Sequence, residues 1–451
     1  MQYEIPEFVK KVYQTFIEKD YEIYLVGGSV RNLLMNIPVK DWDFTTNATP
    51  EEILTLFPDA FYDNQFGTVG IPHEVDGQPK VIEVTTFRTE TTYSDTRHPD
   101  TVEWGKTIQE DLSRRDFTIN AIALNLSNSS FTDPYEGKKD IDAKLIRAVG
   151  DASQRFKEDA LRLMRAIRIA TELSFVIEED TWKEIVNDAE LIQKVSGERI
   201  RLELLRILAS DHAYEGIMLL KNSGILGYIL PELLEGVGVS QARPGRHHTE
   251  DVFNHNVLSL KYTPSKDPVV RFAALLHDVG KPRSKSSDEQ GLVIFYNHEV
   301  TGAKIAREIC DRLHFSKKDR DKIVNLIRWH MFTVDEHITD SAIRRFIRRV
   351  GVENVKDMMD LRIGDRLGGG TQTAESWRLK KFKQRVEEQL KPAPFSITDL
   401  AIDGNDIMKE LTIQPSKKVG EILQNLFEYV DEDLSRNTRE YLLKKIKEIE
   451  V

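Results

Sequence analysis

Cysteine is almost missing: Cys310 is the one thiol in 451 residues. A single cysteine excludes an intrachain disulfide framework and a zinc–thiolate cluster, and it fits a reducing compartment. No stretch approaches the ~18 consecutive apolar residues of a membrane-spanning helix. The start, MQYEIPEFVKK, has no apolar signal region. Together these absences read as a cytoplasmic chain without a membrane partner. Excess positive charge is also lacking. The net charge of −11 excludes a uniformly basic nucleic-acid coat, although local patches can still bind RNA. Neither an internal repeat nor a low-complexity segment is present. What remains is 40% hydrophobic and 30% charged, an ordinary globular balance with core enough for roughly two to four domains.

The chain is organised around Tyr24 to Thr46, YLVGGSVRNLLMNIPVKDWDFTT. The apolar run Ile23 to Val26 reads as a buried strand ending at Gly27-Gly28, and Ser29 opens a short helical pattern through Val30, Leu33 and Leu34. Lys40 to Thr46 reads as a second strand carrying Asp41 and Asp43 on one face. Two carboxylates side by side repel each other, and a divalent cation relieves that repulsion. Hard oxygen ligands shared with substrate phosphates suit Mg²⁺, and glycines before a helix start let backbone N–H groups approach a phosphate. Either half alone reads as a plain turn or a solvated strand end. Strand, Gly-Gly, helix, strand and Asp-x-Asp within so few residues resemble the active-site core of polymerase-beta superfamily nucleotidyltransferases. The wording GGSVRN…DWDFTTNATPEEI resembles the class II tRNA nucleotidyltransferase and bacterial poly(A) polymerase family.

Around that core, residues 6–19 form an amphipathic helix opening at Pro6, and Thr49-Pro50-Glu51-Glu52 reads as a helix N-terminus. Gly67–Ile71 and Lys80–Phe87 read as strands joined through Asp76-Gly77. Glu83, on the second of these, is either a third carboxylate beside the Asp pair or a surface strand residue. Residues 89–110 are polar and lack a sustained period, which reads as a long loop. Arg114, Arg115 and Asp116 follow, either contacts for phosphates and ribose or a charged helix end. From about Asp151 the pattern is helical. In QRFKEDALRLMRAIRIA the spacing places Asp159 and Arg162 as neighbours on one helix. They form either an intrahelical salt bridge or an acceptor-and-donor array that matches the Watson–Crick edge of C or A and rejects G and U. Basic runs at Arg155–Arg168, Arg344–Arg349 and Arg378–Arg385 read either as RNA contacts or as solvated helix faces. Val237–Glu250 and Lys391–Pro394 read as breaks.

A second constellation lies farther on. His255, the His277-Asp278 pair, His298, His330 and Asp365 sit in helical patterns or at their ends, a set of nitrogen and oxygen donors that suits a transition metal. It resembles the HD phosphohydrolase superfamily. That resemblance implies His255, His277, Asp278 and Asp365 as ligands of one metal, with His298 and His330 at positions that serve a second.

The family resemblance covers nearly the whole chain through the Asp41/Asp43 motif, RRDFTIN (Arg114 to Asn120) and EDALRLMRA (Glu158 to Ala166). It implies an α+β, multidomain fold. A small polymerase-beta-like head of mixed sheet and helices (1–150) precedes an all-α neck (151–236), an HD-type body (237–370) and a helical tail (371–451). It implies Asp41 and Asp43 as the catalytic carboxylates holding two Mg²⁺ ions, and Glu83 stands beside them as the candidate third catalytic carboxylate. Nucleotide contacts fall to Gly27, Gly28, Arg31, Arg114, Arg115, Asp116, Asn120, Asp159, Arg162, Arg165 and Arg168. The implied partners are ATP, CTP and the acceptor/T-arm half of tRNA, with CCA addition as the activity. The presence of TETTYSDTRHPD disfavours CC-only addition, and FYDNQFGTVGIP resembles the tRNA branch rather than the poly(A) branch. A-only addition stays open, as does a rival in which the HD centre is the main activity.

Overall fold

The computed structural model describes residues 4–64, 67–75, 77–90, 102–241, 251–335, 337–390 and 396–449. The chain forms two compact units. One comprises Met1–Leu234 with Arg312–His314, and the other Glu235–Asp311 with Phe315–Val451.

In the first unit the strands run β1 (Ile23–Val26), β2 (Asp43–Thr46), β3 (Phe61–Asn64), β4 (Thr68–Val75), β5 (Gln78–Thr86), β6 (Arg88–Glu90), β7 (Val102–Trp104), β8 (Ala123–Leu124) and β9 (Phe131–Thr132). Seven of them build one mixed sheet in the order β3-β4-β5-β2-β1-β8-β9. Only the central β2–β5 pairing is parallel, so β2 is covered on both edges, which agrees with its buried Phe44, Thr45 and Thr46. The buried hydroxyls are satisfied locally: Thr46 Oγ1 donates to the Glu22 carbonyl (2.6 Å) and Thr86 Oγ1 to the Ala48 carbonyl (2.7 Å). Thr49 caps the helix Pro50–Leu56 in a full capping box with Glu52, as its sequence signals.

Four sequence expectations change. The second strand begins at Asp43, not Lys40, because β1 ends at the Gly27-Gly28 turn and leaves nothing on that side for residues 40–42 to pair with. The loop expected at 89–110 begins and ends as structure. β6 pairs antiparallel with β7, and Thr107 caps a helix over Ile108–Ser113. Residues 91–101, which hold most of TETTYSDTRHPD, lie outside the described residues. The neck is not wholly helical, since Val176–Ile177 pairs parallel with Leu145–Ile146. Neither is the body, where Lys285–Ser287 and Val293–Phe295 form a hairpin whose turn uses Gly291 at φ +77°.

The second unit is otherwise helical. Helices Val252–Tyr262, Pro268–Leu276, Lys317–Trp329 and Val355–Gly368 surround the histidine cluster. The tail supplies Trp377–Leu390, Gly404–Leu411, Lys417–Glu432 and Arg439–Ile449. Most of the Val237–Glu250 break and all of the Lys391–Pro394 break lie outside the described residues. Among the described residues no helix is long and apolar enough to cross a membrane.

Candidate active site

The head places its carboxylates at the C-terminal edge of β1 and the N-terminal edge of β2. Asp43 opens β2, Asp41 lies exposed two residues earlier, and Glu83 on β5 stands directly opposite Asp43 in the parallel register. Burial pushes the Asp43 carboxyl up, Asp41 adds to the rise, and Arg115 and Arg31 oppose it. A site that raises a carboxyl by burial and by like charge is relieved by a divalent cation, so Asp41 and Asp43 fit the metal that the chemistry calls for. Gly27 takes φ +71°, a conformation in which any L side chain is strained. A Cβ there would come 3.2 Å from Arg115 Nη1 and 3.5 Å from Asp43 Oδ2. The Gly-Gly turn therefore keeps space open between a guanidinium and a carboxylate.

The arginines of RRDFTIN are held from below by a residue that the sequence reading passed over. Asp111, fully buried, accepts from Arg114 Nη2 (2.6 Å) and Nε (3.0 Å) through one oxygen, and from Arg115 Nη2 (2.9 Å) through the other. Burial alone raises the Asp111 carboxyl, but the two arginines hold it below its ordinary value. Asp111 lies three and four residues before them on one helical turn, a spacing that sequence can show.

A polar chain continues from there. Arg31 Nη1 donates to Asn120 Oδ1 (2.6 Å), and Asn120 Nδ2 donates to Asp116 Oδ1 (3.0 Å). Arg165 binds Asp116 Oδ2 through Nε (2.9 Å) and Nη2 (2.6 Å). Burial opposes the charge of Asp116, yet Arg165 and Asn120 keep its carboxyl well below the usual carboxylate range. Burial lowers Arg31 to about 10. Glu203 lies 2.5 Å from Arg168 Nε and 4.0 Å from Arg165 Nη1. Its contribution has no local sequence signal.

Asp159 and Arg162 do not form the helical neighbour pair that their spacing predicts. The helix stops at Glu158 and restarts at Leu161, with Asp159 extended at φ −141°. Asp159 is instead gripped by Arg199, through Nη2 to Oδ2 (2.8 Å) and Nη1 to Oδ1 (3.2 Å). Arg162 binds Glu158 (2.7 Å) and the Arg114 carbonyl (2.9 Å).

In the second unit the six expected residues come together. His255 Nε2 lies 3.1 Å from His277 Nε2, 3.3 Å from Asp278 Oδ2 and 3.3 Å from Asp365 Oδ1. His298 and His330 point Nε2 at Asp278 Oδ1, at 3.2 and 3.6 Å. The Nδ1 atoms of His277, His298 and His330 face the carbonyls of Ala274, Phe295 and Ile327 at 2.8, 2.8 and 2.7 Å. That arrangement fixes the rings and turns each Nε2 inward. His298 Nε2 is buried, with the Asp278 carboxylate as its neighbour. Desolvation opposes charge on His277, but Asp278 and Asp365 push it up to about 10. Inward-turned Nε2 atoms on locked rings, together with two carboxylates, fit a transition-metal centre. Lys281, also absent from the sequence reading, contacts Asp278.

The basic runs divide. Arg344 and Arg348 turn inward onto the buried Asp431 (2.8 and 2.5 Å), a structural role. Arg345 and Arg349 of the same helix line a pocket with Trp329.

Three family descriptions match the chain: Poly A polymerase head domain over 23–147, Probable RNA and SrmB- binding site of polymerase A over 174–236, and HD domain over 248–367. A CCA-adding enzyme of Geobacillus thermodenitrificans is 43% identical over 216 residues, 48% of this chain and 52% of that protein. The alignment therefore spans about half the length of that relative. An A-adding tRNA nucleotidyltransferase of Deinococcus radiodurans is 33% identical over 417 residues, 90% of each chain. Among solved structures, the Bacillus stearothermophilus CCA-adding enzyme in complex with CTP superposes with a TM-score of 0.73 at 25% identity, covering 98% of this chain and 96% of that one.

Proposed function

Since the chain belongs to the tRNA nucleotidyltransferase and poly(A) polymerase family, we propose that it adds the 3′-terminal CCA to tRNA from CTP and ATP without a nucleic-acid template. One observation carries the reading: Asp41, Asp43 and Glu83 gather at the edge of β2 and β5, beside the Gly27 turn and the Arg115 guanidinium. In the reaction the 3′-oxygen of tRNA bonds to the α-phosphorus, the bond to the bridging oxygen breaks, and pyrophosphate leaves. Asp41 and Asp43 would hold magnesium, two ions in this reading, and the metal would supply Lewis-acid charge for the transfer. The chain's own residues do the positioning. Asp111 presents Arg114 and Arg115 as preset donors for phosphate oxygens, so little reorganisation is needed when the triphosphate arrives. The Arg31–Asn120–Asp116–Arg165 chain fixes the donors on the ribose side. Asp159 and Arg162 read the base, Asp159 as acceptor and Arg162 as donor, and their separate anchors keep both groups in fixed places. Curated CCA-adding relatives and solved CCA-adding structures with CTP, ATP and tRNA support these substrates.

The test uses tRNAs ending at the discriminator base, at C and at CC, each supplied with single nucleotides, and sizes the products. Stepwise growth to CCA supports the proposal. Growth only on tRNA ending in CC, and only with ATP, replaces it with A-only addition, the activity named for the Deinococcus relative.

A second reading concerns the other unit. The locked rings around Asp278 favour a metal-dependent phosphohydrolase centre, with His255, His277, Asp278 and Asp365 as ligands and His298 and His330 beside them. Metal-dependent release of product from nucleoside 2′,3′-cyclic phosphates tests it, and no release in the presence of manganese, cobalt or nickel removes it.

A further inference from the structure

Beside the histidine centre lies a pocket of about 460 Å³ whose walls include Phe332, Arg362, Arg366, Ser376, Trp377 and Arg378. Three observations give it a chemistry. First, it is strongly cationic. Three guanidiniums line it, and among the described residues no carboxylate does. Arg366 Nε is buried there without a hydrogen-bond partner among the described residues. A buried donor left unpaired costs on the order of 1–3 kcal/mol, so a site that keeps one open is suited to an acceptor from outside. Second, the Trp377 indole is 56% exposed at the pocket, with the Arg378 guanidinium over the ring at 5.5 Å from its centre. It sits with Ser376 and Arg378 at the start of the helix Trp377–Leu390, the positive end of that helix dipole. Third, the pocket is joined to the histidine centre by one side chain. Arg362 lines the pocket, stacks over Phe332, and donates from Nη1 to Asp365 Oδ2 at 3.0 Å. The other oxygen of Asp365 faces His255 at 3.3 Å.

Arginine donors suit phosphate, and an exposed indole suits a nucleobase face, whatever the base. A metal ion uses neither the indole nor the guanidiniums, and a neutral sugar leaves the guanidinium charge without a counter-charge. An apolar ligand leaves Arg366 unpaired. We propose that this pocket binds a nucleoside monophosphate unit, with the base on Trp377 and the phosphate on Arg366 and Arg362, either as a free nucleotide or as the last residue of an RNA. The phosphate then lies beside Asp365, so the pocket is the substrate subsite of the histidine centre. This last step rests on the phosphohydrolase reading above, whereas the binding step does not.

The test is photolabelling of the full chain with 8-azidoadenosine 3′-phosphate, and in a second arm with an RNA oligonucleotide ending in the same residue, followed by peptide mapping. Mapping separates this pocket from the nucleotide site of the head. Label is expected on the peptide around Trp377, in EDTA as well as with metal, and is expected to fall at least ~10-fold in Trp377→Leu and Arg366→Met, a loss matching one charge-assisted contact. Trp377→Phe, which keeps a stacking face, retains it. Thermal unfolding of each variant confirms an intact fold. Label confined to head peptides in both arms overturns the proposal, as does unchanged labelling of the pocket peptide in both loss variants. Labelling in the first arm alone assigns the pocket to free nucleotides, and in the second alone to RNA ends. Pocket labelling without hydrolysis of any nucleotide removes the phosphohydrolase reading and leaves the binding site standing. Hydrolysis without pocket labelling does the reverse.

Discussion

Arg199 grips Asp159 with both of its terminal nitrogens, at 2.8 and 3.2 Å, although 40 residues separate them in sequence. Asp159 leaves the helical path to make this contact, since its backbone is extended between two helices. The carboxylate proposed to read the base is therefore aimed from outside its own helix. Asp159→Ala is expected to relax discrimination among CTP, ATP, GTP and UTP. Arg199→Ala, which frees the carboxylate without removing it, is expected to cut the preference for CTP and ATP by on the order of tenfold, the worth of a charge-assisted pair. Ratios of kcat/KM for the four triphosphates on trimmed tRNA measure both. Selectivity unchanged in both variants returns Asp159 to a structural role.

Asp41 and Asp43 carry the chemistry in the proposed reaction, and Glu83 stands opposite Asp43 without following the Gly-Gly turn. Asp43→Ala and Asp41→Ala are each expected to lower nucleotide incorporation by about 1000-fold or more, consistent with several kcal/mol of transition-state stabilisation. Retention of labelled tRNA on filters should survive in both. Glu83→Gln separates a third metal ligand, with a large loss of turnover, from a surface strand residue, with little change. Near-normal turnover in Asp43→Ala removes the carboxylates from the mechanism.

Acid should undo the head through Asp116. Its folded carboxyl lies well below the ~3.9 of an unfolded aspartate. Between those two values the unfolded chain binds the proton and the folded chain does not, so stability rises with pH there. The contribution is complete above about pH 5 and is lost as pH falls from about 4 toward the folded value. Asp116→Asn leaves Arg165 without its buried partner and is expected to destabilise the protein by about 3 kcal/mol at pH 7. Thermal midpoints of the two proteins should then converge as pH drops below about 4. A gap of constant size from pH 7 to pH 3 would falsify the assignment.

Local signals made much of this legible. The run Ile23–Val26, the Gly27-Gly28 turn and the Thr49 capping box each depend on residues a few positions apart, and all are found where the sequence puts them. That the six residues of the histidine centre come together was also legible, because each is of a metal-ligating type at a helix end or face. Partnerships across long separations were not. Nothing near Asp159 announces Arg199, and the arginines of IRRFIRRV show no local reason for two of them to turn inward onto Asp431, more than 80 residues on. Short strands failed for another reason. Val176–Ile177 and Lys285–Ser287 are too brief to set a period of their own, and their pairing partners decide them.

The histidine centre predicts its own response to metal. Asp278 is shared by both halves of the cluster. One oxygen faces His255 and His277, and the other faces His298 and His330. Removing that carboxylate therefore disturbs all four rings together, whereas His298→Ala removes only a ring on one side. A metal that binds the folded centre and not the unfolded chain stabilises by RT ln(1 + [L]/Kd), about 2.7 kcal/mol at a hundredfold excess over Kd. Manganese, cobalt or nickel is accordingly expected to raise the thermal midpoint of the unit that holds the centre, and EDTA to reverse the rise. Asp278→Asn should abolish the metal-dependent shift, and His298→Ala should keep part of it. Metal content by elemental analysis of the dialysed protein provides the second reading. A midpoint indifferent to every one of these ions, with no metal retained, leaves the cluster as a set of buried ion pairs, in which the carboxylates of Asp278 and Asp365 are satisfied by the histidines together with Lys281 and Arg362.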